Sequence, residues 1–223
     1  MNTASQKTSP STKAVNVLAA LVLIATTFSI AATSKVANAA GFELLDSPQN
    51  TSVSDKVEVL EFLWLGCPHC YALEPSMKKW KETKPDYVHF VREAPALNQS
   101  WEAHSRGFYA AQLAGKENEF VDAMFEAIHE DRKPMRNPKK IAELAESIGL
   151  DKDKFLSAMK GFAVSGKLNR AKQLAIGAGI SSVPTVIING KYRTSSSISG
   201  GHDGIIETIN ERVEFEKTEM NLE

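Results

Sequence analysis

The chain has 223 residues, with 26 Lys and Arg against 27 Asp and Glu, for a formal net charge of −1. Three basic residues (Lys7, Lys13, Lys35) and no acidic ones precede Glu43, so the remainder carries a formal −4 and gives no support for nucleic-acid binding. The 184 residues after Ala39 are ample for one packed domain and too few for two ordinary ones.

The chain opens with Lys7 and Lys13, followed by a 19-residue apolar stretch, Ala14 to Ala32, and then Ala37-Asn38-Ala39. A basic region, an apolar core and a small-x-small site in that order predict a cleavable signal peptide over 1–39. The alternative is an uncleaved anchor, since 19 residues nearly suffice to cross a bilayer. Asn16, Thr26, Thr27 and Ser29 weaken that stretch, and the Ala-Asn-Ala site argues for removal. Either reading puts the rest of the chain outside the cytoplasm, where disulfides form and persist.

Phe42 to Leu45 reads as a short edge strand. Val57 to Leu65, dense in Val, Leu and Phe, reads as a central strand covered on both faces. Tyr71 to Lys81 reads as a helix that Pro75 should kink or divide. Lys78, Lys79 and Lys81 on it read as a solvated face rather than a binding patch. Tyr87 to Arg92 alternates as a second strand. From 100 to 179 the texture is helical. Ser100 and Gly115 bracket one helix, and Phe120, Val121, Met124, Phe125 and Ile128 fall at helical spacing within Asn118 to Ile128. Pro138 to Ile148, Asp151 to Met159 and Ala163 to Ala178 predict three more. Strand texture returns at Val183 to Arg193, with Asn189-Gly190 as a hairpin turn. Ser195 to Gly201 reads as a loop, and Gly204 to Met220 as a closing helix. The order describes a β-α-β unit and a β-β-α unit sharing one sheet, with helices inserted between them.

Cys67-Pro68-His69-Cys70 holds the only two cysteines of the chain. Two thiols three positions apart close a small ring and form a reversible two-electron couple, with no third thiol to shuffle with. A cysteine at a helix start, straight after a strand, sits at the positive end of the helix dipole beside free backbone N–H groups, where a thiol becomes acidic and reactive. Zinc is a weaker reading of Cys67, His69 and Cys70. A structural site wants four ligands, and no second C-x-x-C or His pair is present, so no metal is expected. His89, His104, His129 and His202 are scattered and read as surface or core residues. Trp64 reads as core near the pair.

Val59-Leu-Glu-Phe62, Cys67-Pro-His-Cys70, Val183-Pro184 and Asn189-Gly-Lys-Tyr192, in that order, resemble a DsbA-type periplasmic thiol:disulfide oxidoreductase over essentially the whole mature chain. The resemblance implies an α/β thioredoxin fold with an inserted all-helical subdomain: 40–99 as its first part, 100–179 as the insertion, 180–223 as its second part. It implies that Cys67 is an exposed nucleophile of strongly lowered pKa, with Cys70 as its partner and Pro68 and His69 as tuning residues. The couple itself replaces any cofactor. It implies a cis Val183–Pro184 bond facing the disulfide, with Val183 able to pair with an extended substrate segment; the residues alone favour a trans proline at the first position of a strand. Substrates would be unfolded exported proteins with free cysteines, and reoxidation would need a DsbB-like, quinone-linked membrane partner. Nothing in the sequence demands more than a monomer. Glu61, six residues before Cys67, is either a buried acid relaying a proton for Cys70 or the ion-pair partner of a cation such as Arg92.

Overall fold

A computed structural model describes residues 41–223, together with Met1 and Thr3. The expected signal peptide and its cleavage site lie outside the described residues. Among the described residues five strands form one sheet in the order β1-β5-β4-β2-β3. They are β1 (Glu43–Leu44), β2 (Val57–Phe62), β3 (Val88–Glu93), β4 (Thr185–Ile188) and β5 (Tyr192–Thr194). Only β2 and β3 pair in parallel, joined through helix α1 (Pro68–Thr83); the other pairs are antiparallel. All six residues of β2 are buried, including Glu58 and Glu61, as a central strand covered on both faces requires. The strand ends at Phe62, short of Leu65, because the chain turns there towards Cys67.

Alternation along β2 divides the core. Val57 and Val59 pack with Leu73, Met77 and Trp80 of α1, and with Ile205, Ile209 and Val213 of α8 (His202–Glu219). Leu60 and Phe62 face Ala175 of α6 (Phe162–Gly177), together with Ala178 and Ile180 beyond it. The remaining helices are α2 (Glu102–Leu113), α3 (Glu117–Phe125), α4 (Pro138–Ser147), α5 (Lys152–Lys160) and the single turn α7 (Ser196–Ser199). Among the described residues no strand falls between Glu93 and Thr185, so the helical stretch is as expected. Its own core is built from Phe108, Phe120, Met124, Ile141 and Phe155, and this cluster also contains Leu65, Cys67 and Cys70. The cysteine pair therefore sits where the helical stretch meets the end of the sheet.

Local chemistry explains several element ends. Gly115 adopts a φ of 71° after α2, so that the Lys116 N–H closes on the Ala111 carbonyl at 2.9 Å. Asp151 caps α5 through a 2.8 Å bond from the Lys154 N–H. Asn189 and Gly190 both have positive φ (46° and 65°), the twist a two-residue hairpin needs. A side chain at Gly190 would also meet the Gln49 carbonyl, 2.1 Å from its Cβ position.

Four expectations are corrected. Pro75 does not divide α1, which runs as one continuous element. The proline forfeits a single backbone bond, while Leu73, Glu74, Met77 and Trp80 anchor the helix on both sides of it. The start assigned to Ser100 belongs to Asn98, whose carboxamide accepts from the Ser100 N–H at 3.0 Å and begins a 3-10 turn, Gln99–Trp101, ahead of α2. The helix expected over Asn118 to Ile128 ends as α3 at Phe125 and widens into a π-turn, Glu126–Glu130. Part of the Ser195 to Gly201 loop is the helical turn α7. Among the described residues no helix is long and apolar enough to cross a membrane.

Candidate active site

Beyond β2, Leu63 to Gly66 carry the chain to Cys67, the N-cap of α1. The Trp64 ring folds back on this loop: a Cβ on Gly66 would lie 2.3 Å from it, so residue 66 must lack a side chain. The Cys67 N–H donates to the Trp64 carbonyl at 2.9 Å, and the Tyr71 N–H to the Cys67 carbonyl at 3.1 Å. Pro68 takes the first helical position, where its missing N–H costs nothing. One turn of helix then sets positions 67 and 70 on the same side.

Both cysteines are free thiols. The expectation of an exposed Cys67 is corrected. Cys67 is only 7% exposed and Cys70 1%, because both belong to the core shared with the helical stretch; Pro68 and His69 are the exposed members of the turn. The Cys67 Sγ lies 3.4 Å from the Val183 carbonyl, towards which its thiol proton is directed. The Val183–Pro184 bond is cis, as the resemblance implied and against the bare sequence reading. Pro184 is buried and Val183 half-buried.

The two thiols are driven apart electrostatically. Cys67 is lowered to about 6. Hydrogen-bond donation from the Cys70 thiol is the main cause; burial opposes it, and the amides of Cys70 and His69 and the charge of His69 add to it. Those amides lie toward the sulfur without completing a side-chain cap bond. Cys70 is pushed well up, first by burial, then by its own donation to Cys67, with a last contribution from the Glu61 charge. Stabilising one thiolate while keeping its neighbour protonated favours the reduced pair, which makes the corresponding disulfide a good electron acceptor.

Beneath the pair lies a buried charge network. Arg92, fully buried on β3, donates to Glu61 on β2 at 2.9 Å and to Glu74 on α1 at 2.5 Å. Lys81 stands 3.6 Å from Glu74, and its side chain is only 18% exposed. The reading of the α1 lysines as a solvated face holds for Lys78 and Lys79 and is corrected for Lys81, which turns inward with Trp80. Burial pulls Arg92 down, but two carboxylates outweigh it and hold it charged. Burial raises Glu61 despite Arg92, because one guanidinium is shared between two acids and Glu74 adds repulsion. The ion-pair partner named for Glu61 from sequence is therefore in place.

An aromatic rim completes the site, and sequence reasoning missed most of it. Trp64 stacks on Trp101 with ring centroids 4.6 Å apart, and on His104 at 5.9 Å. His129, from the π-turn, stacks on Tyr71 at 4.8 Å. Its Nε2 lies 2.9 Å from the Leu65 carbonyl, so it carries the proton. The Tyr71 hydroxyl donates to Glu130 at 2.8 Å. One histidine from the helical stretch thus grips the chain two residues before Cys67 and one residue after Cys70. The only sequence signal was the four-residue spacing of Phe125 and His129, which a regular helix explains equally well. His89 and His202 lie apart from the rim, on β3 and α8.

A C-x-x-C turn at a helix start, set against a cis-proline loop on a thioredoxin-type sheet with a helical insertion, defines a thiol:disulfide oxidoreductase of the thioredoxin superfamily. The DSBA-like thioredoxin domain family matches residues 58–204. A Pseudomonas aeruginosa protein named thiol:disulfide interchange protein DsbA is 36% identical over 202 residues, covering 90% of this chain and 96% of that protein. One of the same name from Burkholderia cepacia is 35% identical over 183 residues, 81% of this chain and 86% of that one. The crystal structure of Pseudomonas aeruginosa DsbA superposes with a TM-score of 0.77 at 36% identity, covering 81% of this chain and 94% of that one. The chain belongs to the DsbA-like thioredoxin-domain family.

Proposed function

We propose that Cys67 and Cys70 are the redox couple through which this protein donates disulfides to folding exported proteins. The observation that carries the reading is the opposed ionisation of the two thiols beside the Val183 carbonyl, Cys67 lowered to about 6 and Cys70 raised. A substrate thiolate attacks Cys67 of the oxidised pair, forming a mixed disulfide, and Cys70 departs as a thiolate that takes up a proton. A second substrate thiolate attacks the substrate sulfur of that mixed disulfide, and Cys67 departs as the stabilised thiolate. Two substrate thiols lose two protons and two electrons; the electrons stay on the reduced pair. Low basicity makes Cys67 a good leaving group.

Val183 and Pro184 form the substrate-binding loop in this reading. Once Cys67 has no thiol proton, the Val183 carbonyl is open to accept an N–H from an extended substrate segment. Pro68 fixes the helix start, His69 supports the thiolate, and Glu61 relays the proton that Cys70 exchanges. The raised Glu61 pKa and the effect of its charge on Cys70 support that role. The acid-free leader ending in Ala37-Asn38-Ala39 supports export to the periplasm, with residues 40–99 and 180–223 as the two parts of the fold around the insertion 100–179. A DsbB-like membrane protein reoxidises the pair, and the chain acts as a monomer. The test is the reduction potential against glutathione. The reading requires a value well above the −270 mV, approximately, of thioredoxin; a value near that figure assigns a reductant instead.

A further inference from the structure

We infer that the loop after the π-turn is a docking surface for acidic segments of the polypeptide undergoing oxidation; this rests on the function proposed above. Residues 132–140 contain Arg132, Lys133, Arg136, Lys139 and Lys140 and no acidic residue, in a chain whose formal charge is −1. All five are exposed. Lys133 pairs with Asp131 and Lys140 with Glu143, both on the surface. Met135 is 7% exposed and belongs to the helical core, so it pins the loop and leaves the cations splayed around it. A cavity of about 490 Å³ opens there, lined by Lys133, Pro134, Met135, Arg136, Asn137 and Lys140. Its apolar floor beneath a cationic edge fits a side chain of an extended peptide with a carboxylate nearby.

The position relative to the reactive sulfur selects the occupant. The His104 Nε2 lies 3.4 Å from the Pro134 carbonyl, and the His104 ring stacks on Trp64, whose carbonyl receives the Cys67 N–H. On the other side, Arg132 follows His129 by three residues, a span of at most about 11 Å, and His129 holds the Leu65 carbonyl. Both ends of the loop are thus tied to the segment that carries Cys67, and an extended polypeptide joined to Cys67 can run on to it. An anionic bilayer is the competing occupant, but a concave, side-chain-sized cavity on a loop tied to the active-site segment through His104 and Trp64 matches a peptide better than a flat headgroup layer.

The test uses the full chain and two synthetic peptides, each with the same pair of cysteines, flanked in one by acidic and in the other by basic residues. At low salt the oxidised protein should favour the acidic peptide by about tenfold in kcat/KM, a preference that shrinks with added salt. The double variant Arg132→Glu/Arg136→Glu should lose or reverse it, while the pH dependence of Cys67 alkylation stays unchanged. Equal rates for both peptides, or a preference the double variant retains, overturns the inference. So does binding to phosphatidylglycerol vesicles that depends on Arg132 and Arg136 without any peptide preference, which assigns the loop to a membrane. If neither peptide is oxidised by the unaltered protein, the oxidase reading itself fails.

Discussion

Removing the Cys70 thiol tests the electrostatics of the site directly. Cys67 is lowered from 9.0 to about 6, roughly three units, or about 4 kcal/mol at about 1.36 kcal/mol per unit. The largest cause is donation from Cys70. A hydrogen bond to a charged group is worth about 1.5–3 kcal/mol, equal to about one to two units. In Cys70→Ala the Cys67 thiol should therefore titrate between about 7 and 8, and its thiolate fraction at pH 7 should fall from about 90% to between about 50% and 10%. Cys70→Ser keeps a donor at the same place and should remain near 6. Ultraviolet absorbance of the thiolate against pH, checked by alkylation rates, reads both values in the reduced proteins. If Ala and Ser titrate together, or Ala stays near 6, the helix-end amides and His69 carry the shift and the donor account is wrong.

The other perturbations are simpler. Glu61→Gln should slow substrate oxidation near neutral pH by about tenfold or more, with the deficit closing as the pH rises and Cys70 needs no relay; stopped-flow rates unchanged across pH reduce Glu61 to an ion-pair partner. Arg92→Met leaves Glu61 and Glu74 buried without their guanidinium and should cost about 3–5 kcal/mol. The cost should shrink in acid, where the raised Glu61 accepts a proton, so urea denaturation at two pH values checks both size and sign. The lowered Cys67 makes the reduced fold more stable as pH rises from about 6 towards 9, the window in which the unfolded chain holds the extra proton. The full shift at pH 8 is about 2.7 kcal/mol, and solvent screening on the open side leaves roughly half; Cys67→Ala should abolish the trend. His129→Ala should loosen the active-site turn and move the reduction potential, whereas His129→Gln, which keeps a donor for Leu65, should restore it. A potential indifferent to both places His129 outside the working site.

Much of the fold was legible from local chemistry. The apolar run over β2, the Asn189-Gly190 turn and the Asp151 cap each state a backbone preference within a few residues. Cys67 and Cys70 were equally plain, since a C-x-x-C between strand and helix has few other uses. Contacts made at a distance were hidden. Cys67 is buried in a core shared with helices that begin 35 residues after it, so no local pattern carries that burial. Continuity of α1 through Pro75 depends on the anchors Glu74 and Trp80 find in β3 and α8. His129 was set aside among scattered histidines because its role exists only once the π-turn brings it to Leu65 and Tyr71.

By itself the sequence determined the sheet's central strand and the reactive pair, and it offered Arg92 as a partner for Glu61 without deciding between pairing and proton relay. Tertiary structure alone decided how acidic Cys67 becomes, which carboxylates share Arg92, and that the proline at 184 is cis. The physical reason is that propensity acts between neighbours in the chain, whereas burial and charge act through space on whatever the fold has brought together.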